Sequence, residues 1–447
     1  MLAVATLLAA CATSTAYRTP DVAVPSQWQQ DSHDGANAEG LTADRWWELF
    51  GDPTLNQLVS DALRRNNNLA VAAVKVRRAQ LQAGLAASAQ LPSVNAGGSA
   101  LASRALNGGP TDRRQSVSAG VSWELDLWGR LAAQRSVAEW EAQATEEDRQ
   151  AAALSLVGTT ATLYWQVAFL NQRIQASQQS IDYAQKTLDL VKAQHRAGSV
   201  TGLDEAQAEQ TLATQQASHT QLIQQRVEAR NALSVLFDGP PGLALNESQR
   251  LPDGVLPTVA AGLPASLLRR RPDLRAAEWR LRKTMATVDA TRASYYPTLT
   301  LTGSLGGSST VLSEVLSNPV ATLGAGLVLP FVQGRDMQRN VSVSQADQEA
   351  AVLNFRQTWY QALADTENAL SARTQYDVQG QQLQTALTMA QRAEHLSEVR
   401  YRAGAVPLKT WLDAQETRRN AENNLAQNRL NRLSNLVVLF QSLGGAV

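Results

Sequence analysis

The chain is written twice, and this repeat limits the fold more than any other feature. Leu63-Arg-Arg-Asn-Asn-Asn-Leu69 aligns with Leu268-Arg-Arg-Arg-Pro-Asp-Leu274, Pro92 with Pro297, and Gly129-Arg130 with Gly334-Arg335, each 205 residues apart. Arg196-Ala-Gly-Ser-Val200 matches Arg402-Ala-Gly-Ala-Val406 at 206. One such match would carry little weight, but four in order at a nearly constant offset mark two similar halves. The Pro/Gly-rich stretch from Gly239 to Pro264 joins them.

Each half reads as helix, hairpin, very long helix, turn and long helix. Val117, Ala119, Val121, Trp123, Leu125 and Leu127 alternate with Ser116, Ser118, Gly120, Ser122, Glu124 and Asp126, which is the period of a strand with one apolar face. The stretch from Val94 to Ala102 alternates more weakly. Leu299, Leu301 and Leu305, then Leu323, Ala325, Leu327, Leu329 and Phe331, follow the same rule in the second half. The turn-rich segments Asn107 to Pro110 and Ser317 to Pro319 separate the strands of each pair.

Proline is then absent from Gly129 to Pro240 and from Pro330 to Pro407. Leu170, Ile174, Ser177, Ile181, Ala184, Leu188 and Val191 step by four and three, a heptad seam. The stretch from Leu131 to Ala197 predicts a helical rod of about 100 Å. Gly158 and Gly380 interrupt the rods either as hinges or as tolerated residues. The uncharged window Ala151 to Gln172 is read as a buried packing segment, because its counterpart contains Asp365 and Glu367.

These patterns divide the chain into a signal peptide (1–10), an anchored N-terminal segment (11–54), a first repeat (55–238, hairpin about 92–128), a linker (239–265), a second repeat (266–441, hairpin about 297–332) and a C-terminal tail (442–447). The apolar run from Leu2 ends in Leu8-Ala9-Ala10-Cys11, a short export signal rather than a membrane span. Small residues before a cysteine also resemble a bacterial lipobox, in which Cys11 carries the acyl chains. No Lys or Arg precedes the run, which leaves open a start upstream of Met1.

Four strands cannot close a membrane barrel, since the smallest closed examples have about eight. An open sheet in lipid leaves unpaired backbone groups at several kcal/mol each. Strands with one apolar face in an exported chain therefore imply a barrel shared between subunits. Twelve strands from three chains is the natural candidate, and eight or sixteen satisfy the same argument. The expected fold class is mainly α, a long helical coiled coil carrying four strands per chain that contribute to a membrane β-barrel.

Charge and motifs exclude other classes. Lys+Arg and Asp+Glu each number 40, so no basic field attracts nucleic acid. The four histidines and one cysteine lie far apart in sequence, and no P-loop, GxGxxG, HExxH or GxSxG string occurs. No enzyme activity and no cofactor are expected. Glu146-Glu147-Asp148 reads as a solvated helix face rather than as paired acid/base carboxylates.

The ordered motifs Trp47-Glu-Leu-Phe-Gly-Asp-Pro53, Glu124-Leu-Asp-Leu-Trp-Gly-Arg130, Arg271-Pro-Asp-Leu274, Tyr296-Pro297, Pro330-Phe-Val-Gln-Gly-Arg335, Tyr401-Arg-Ala-Gly404 and Leu412-Asp-Ala-Gln415 resemble the outer-membrane factor family. These are the acylated, TolC-like outer-membrane channels of tripartite efflux pumps. The resemblance implies a homotrimer with a 12-stranded barrel in the outer membrane and a helical tunnel in the periplasm. It further implies an equatorial region around 12–53, 239–265 and the C-terminal end, with loops 104–113 and 309–319 outside. The function implied is a passive export duct for drugs or other small toxic compounds. A periplasmic adaptor, an inner-membrane pump engaged indirectly and outer-membrane lipid would be its partners. An acylated non-channel coiled-coil scaffold and the duct of a type I secretion system are the alternatives; the matched hairpins speak against the scaffold.

The turns holding Gly198, Ser199, Val200 and Gly202 in one half, and Gly404, Ala405 and Val406 in the other, are the expected adaptor-docking tip. The resemblance also puts the gate there. Leu412, Asp413, Ala414 and Gln415 match the family's gate segment, but Glu416 stands at an arginine position and Lys409 at that of a constricting leucine. Lys409 and Asp413 are i,i+4 neighbours able to pair for about 0.3–0.5 kcal/mol. Three copies of Asp413 around an axis repel, so closure is expected to draw on cations such as Lys409, Arg418 or Arg419.

Overall fold

The computed structural model describes residues 15–29, 45–259, 264–330 and 334–445. Cys11 and the signal segment lie outside the described residues. The elements follow the repeat. The first half holds α1 (Pro53–Arg65), α2 (Asn67–Ser88), β1 (Ser93–Ser103), β2 (Asp112–Leu125), α3 (Arg130–Arg196) and α4 (Gly202–Val235). The second holds α5 (Leu267–Arg270), α6 (Pro272–Ala293), β3 (Thr298–Ser309), β4 (Val320–Val328), α7 (Gly334–Arg402) and α8 (Leu408–Ser442). The two rods, α3 and α7, have 67 and 69 residues.

The chain divides into two compact units. The first comprises Met1–Val22, Ala73–Asp148 and Asp273–Trp359, and contains the sheet. All strands are antiparallel in the order β1-β2-β3-β4, so β2 and β3 join the two hairpins across the repeat. Beside the sheet, Trp140 of α3 stacks on Trp279 of α6 with ring centroids 5.2 Å apart. Glu147 binds Arg275 at 2.7 Å and Glu141 binds Lys283 at 2.9 Å, while Asp148 pairs with Arg280. Of the run Glu146-Glu147-Asp148, Asp148 remains exposed as expected while pairing with Arg280, whereas Glu147 is turned from solvent onto Arg275 of the packed helix. Burial raises the Glu147 carboxyl above the ordinary glutamate range even though Arg275 opposes the shift. The extended segment from Thr15 lies on α6. There the Thr15 backbone N–H and hydroxyl donate to Asp289 at 2.8 and 2.7 Å, and Arg282 packs over the Tyr17 ring.

The second unit comprises Ala23–Ala72, Arg149–Pro272 and Tyr360–Val447. Its core begins with the 3-10 turn Trp46–Phe50, whose Trp46 stacks on Phe440 of α8 at 4.9 Å while Phe50 meets Trp165 edge-on at 4.7 Å. Asp52 caps α1 by accepting from the N–H groups of Thr54 and Leu55, with Pro53 in the first helical position. The Tyr164 hydroxyl donates to the same carboxylate at 2.7 Å. Burial and then Asp52 push that phenol well above its ordinary value. Arg271 is buried and donates to the carbonyls of Ala362 and Ser442 and to Asp365, tying the entry of the second half to α7 and α8.

All seven positions of the heptad seam on α3 are buried or half-buried. Among the described residues one helix, α3, holds a window apolar enough to cross a membrane, and 72% of that window is buried. Gly158 and Gly380 are neither hinges nor merely tolerated. A Cβ on Gly158 would lie 2.1 Å from Gln441 Nε2, and one on Gly380 would lie 2.8 Å from Asn428 Oδ1. Gln441 donates to the Leu154 carbonyl and Asn428 to that of Tyr376, each four residues before the glycine. The missing side chains let α8 amides reach the backbone of α3 and α7.

Candidate functional site

Two sites stand out, the sheet in the first unit and the helix turns in the second. Residues in register across a sheet share a face. Val94, Val121, Gly303 and Leu323 form one such row, Trp123, Leu301 and Ala325 a second, and Leu125, Leu299 and Leu327 a third. The intervening rows are Asn95, Gly120, Ser304 and Thr322, then Glu124, Thr300 and Gly326. One face is apolar and the other polar. The apolar face is open, with Val94 77% and Leu323 91% exposed and Val121, Leu301 and Leu327 also exposed. An uncovered apolar face of this extent marks an interaction surface. A sheet packed on helices would have buried it.

The motif after β2 holds the strand ends to the helix. Arg130 binds both oxygens of Glu124 at 2.7 and 2.8 Å, and Asp126 caps α3 by accepting from the N–H groups of Leu131 and Ala132. Trp128 donates to the Pro297 carbonyl at 2.7 Å and packs on Tyr296. Trp123 donates to the Gln90 carbonyl at 3.0 Å. Indoles with an apolar body and one satisfied N–H suit a membrane interface.

The two turns share one local geometry. Gly198 has φ +76° and Gly404 φ +71°, the left-handed region in which glycine meets no Cβ penalty. Gly198 N–H donates to His195 O and Ser199 N–H to Gln194 O; Gly404 donates to Tyr401 O and Ala405 to Arg400 O. These are the paired bonds of a Schellman cap. Thr201 and Asp204 form a reciprocal capping box opening α4, whereas Pro407 opens α8 without a side-chain cap. Gly198, Ser199, Gly202, Gly404 and Ala405 are exposed. Val200 and Val406 instead pack against the apolar cluster of Leu188, Val191, Tyr401, Leu408, Trp411 and Leu412. Of the aromatic members, Tyr401 opens the motif Tyr401-Arg-Ala-Gly404, whereas Trp411 lies in none of the motifs, and only its spacing from the turn could have singled it out.

Lys409 and Asp413 do pair, with Nζ 2.9 and 3.0 Å from the two carboxylate oxygens. Glu416 is exposed. Arg418 is committed within its own chain, to Glu394 at 2.5 Å and Glu422 at 2.7 Å, which removes it from the set of cations available to Asp413. Arg419 makes no ion pair among the described residues, and burial followed by the neighbouring Arg418 holds its guanidinium below the ordinary value. Among the described residues no three His, Cys, Asp or Glu side chains stand close enough to hold a metal ion. An open recess of about 1180 Å³ is lined by Arg173, Tyr183, Arg418, Arg429 and Arg432, but its charges are largely spent in ion pairs such as Arg429 with Asp253 and Arg432 with Asp377.

The family model described as outer membrane efflux protein matches residues 58–237 and 263–445, the two halves in turn. The pyoverdine export outer membrane protein OpmQ of Pseudomonas putida is 34% identical over 449 residues, covering 98% of this chain and 95% of that protein. The outer-membrane channel OprN superposes with a TM-score of 0.89 at 26% identity, over 98% of this chain and 99% of that one. CusC, whose structures are described in terms of transmembrane channel formation, gives 0.88 at 26% identity, over 98% and 100%. An uncovered amphipathic sheet on long periplasmic-type helices thus has the architecture of an outer-membrane channel. The chain belongs to the outer membrane efflux protein family and is an outer-membrane efflux component extending into the periplasm.

Proposed function

We propose that three copies close a 12-stranded barrel and form a passive duct for small toxic solutes. The open apolar face of the four-stranded sheet carries this reading, because four strands leave two unpaired edges and lipid tolerates none. Cys11, acylated, anchors each chain; several acyl chains at about 0.8 kcal/mol per CH₂ make such anchoring stable. The turns at Gly198, Ser199, Val200 and Gly202 and at Gly404, Ala405 and Val406 dock a periplasmic adaptor, through which an inner-membrane pump supplies the driving force. Val200 and Val406 support the turns from beneath, so the docking contacts fall to the exposed residues. Asp413, with Lys409 and Glu416, belongs to the gate. A duct wide enough for many solutes has no close-fitting pocket, so selection falls to the pump. The word pyoverdine in the name of OpmQ agrees with a small-solute cargo.

Mass determination of the detergent-extracted protein together with single-channel recording tests this. Three chains, an acylated Cys11 and a discrete conductance are expected. A water-soluble monomer without conductance would refute the barrel.

A further inference from the structure

The 206-residue offset that relates the two tip turns also relates the side chains bridging each of them. His195, in the last turn of α3, places Nδ1 2.5 Å from Glu205 Oε2 in the first turn of α4. The equivalent positions of the second turn are Tyr401 and Trp411. Their rings stack at 5.2 Å with 26° between planes. One turn is bridged by an ionisable pair and the other by a buried aromatic pair.

We propose that the first tip turn is a proton-operated latch, closed when His195 is an imidazolium paired with Glu205 and slack when the imidazole is neutral, while the second turn stays fixed at every pH. Imidazole is the side chain that changes charge between about pH 5 and 8. From α4, His195 faces Glu205 and, beyond it, Asp204, whose carboxylate is held below its ordinary value by hydrogen bonds from Thr201. On its own helix Lys192 is engaged with Glu209 at 2.8 Å, and Arg196 turns back to the Lys192 carbonyl. From α7, the Tyr401 hydroxyl donates to Gln194 at 2.6 Å, and Glu398 is bound by Arg402. From α8, Lys409 is occupied by Asp413. The imidazolium therefore meets two carboxylates and the carbonyl end of a helix, an anionic setting.

The sign follows from this geometry. Protonated, the pair is charge-assisted and ties the end of α3 to the start of α4. Neutral, it keeps at most an ordinary hydrogen bond, so the tie weakens as pH rises through the imidazole titration. Tyr401 and Trp411 carry no charge in that range and hold by packing. The latch stands on the turn geometry alone. Its consequence, a docking turn whose stiffness follows periplasmic pH, rests on the adaptor-docking reading above.

Amide hydrogen exchange of the full-length protein in detergent, at about pH 5.5 and about pH 8, reads the latch directly once rates are normalised for intrinsic exchange. Protection over residues 193–206 should fall about two- to fivefold at the higher pH, the range of a partly exposed ion pair, and stay constant over 399–412. Glu205→Gln should abolish the pH response. So should His195→Tyr combined with Glu205→Trp, which copies the second turn onto the first. Wild-type protection equal at both pH values, or a wild-type response surviving in Glu205→Gln, would overturn the proposal.

Discussion

Replacing Lys409 and Asp413 together by alanine separates gating from folding, because the pair is nearly irrelevant to stability. Their side chains are 65% and 57% exposed, so the two bonds from Nζ stabilise α8 by only about 0.3–0.5 kcal/mol. The start of α8 is held instead by Leu408, Trp411 and Leu412, which are buried in the turn cluster and keep their contacts in the variant. Three chains lose about 1–1.5 kcal/mol together, too little to disturb assembly. On the gate reading proposed above, however, the substitution removes six charged heads, two from each of three chains, from the closed aperture and shortens each side chain. Single-channel recording of the purified trimer should therefore show a higher conductance, and cells should become sensitive to antibiotics too large for the outer membrane. Wild-type conductance and wild-type sensitivity in a normally assembled trimer would remove both residues from the gate.

Three further outcomes are expected. Phe440→Ala empties the space against Trp46 and Phe50 and should cost about 3–5 kcal/mol, read as a thermal midpoint below that of the wild type. Gly444→Ala forces alanine to φ +74° with its Cβ 2.6 Å from the Arg270 carbonyl carbon, a backbone contact that no rotamer relieves. The backbone conformation alone costs about 1–3 kcal/mol, and the thermal midpoint should drop while Gly84→Ala leaves it unchanged or higher. Glu147 has a raised carboxyl pKa, so the folded state binds its proton more readily than the unfolded chain, and this residue's contribution rises as pH falls through the acid range between the two values. The urea midpoint of the wild type minus that of Glu147→Gln should therefore increase on acidification; a constant difference would refute the assignment.

Period and spacing made the elements legible before any contact was known. The alternation from Val117 to Leu127 predicts a strand because side chains reverse face at every residue, and β2 covers Asp112–Leu125. The helical pattern from Leu131 to Ala197 predicts one rod, and α3 covers Arg130–Arg196 without a break. Partner choice across long separations was not legible. Nothing local to Ser116 or Ser308 says that β2 pairs with β3 rather than closing each hairpin by itself. Glu147 and Asp148 looked solvated because their arginines, Arg275 and Arg280, lie 128 and 132 residues away, on α6. Gly158 looked like a possible hinge because its reason, the amide of Gln441, comes from the far end of the chain. The turn glycines were legible since a reversal after Arg-Ala needs a left-handed residue within three positions. His195 and Glu205 were not, because their meaning appears only when Tyr401 and Trp411 are seen to bridge the same gap.

The pairing of β2 with β3 also shows what the first unit leaves undone. It spends the inner edge of each hairpin and leaves β1 and β4 with one unpaired edge apiece. The helices divide in the same way. Neither α6 nor residues 131–148 of α3 carries an exposed large apolar side chain, because stacked tryptophans and three ion pairs occupy them with each other. By contrast α2, which leads into β1, exposes Val74, Leu81 and Leu85, spaced by seven and four residues, and α7, which follows β4, exposes Val343 and Leu353. Unsatisfied surface thus falls on the elements continuous with the open strand edges, and on those helices rather than on the inner pair. A scaffold that needed only a coiled coil would gain nothing by leaving backbone edges and adjoining helix faces bare together. A subunit whose closure is completed by further copies of itself must leave both, since each edge strand brings its neighbouring helix to the same partner.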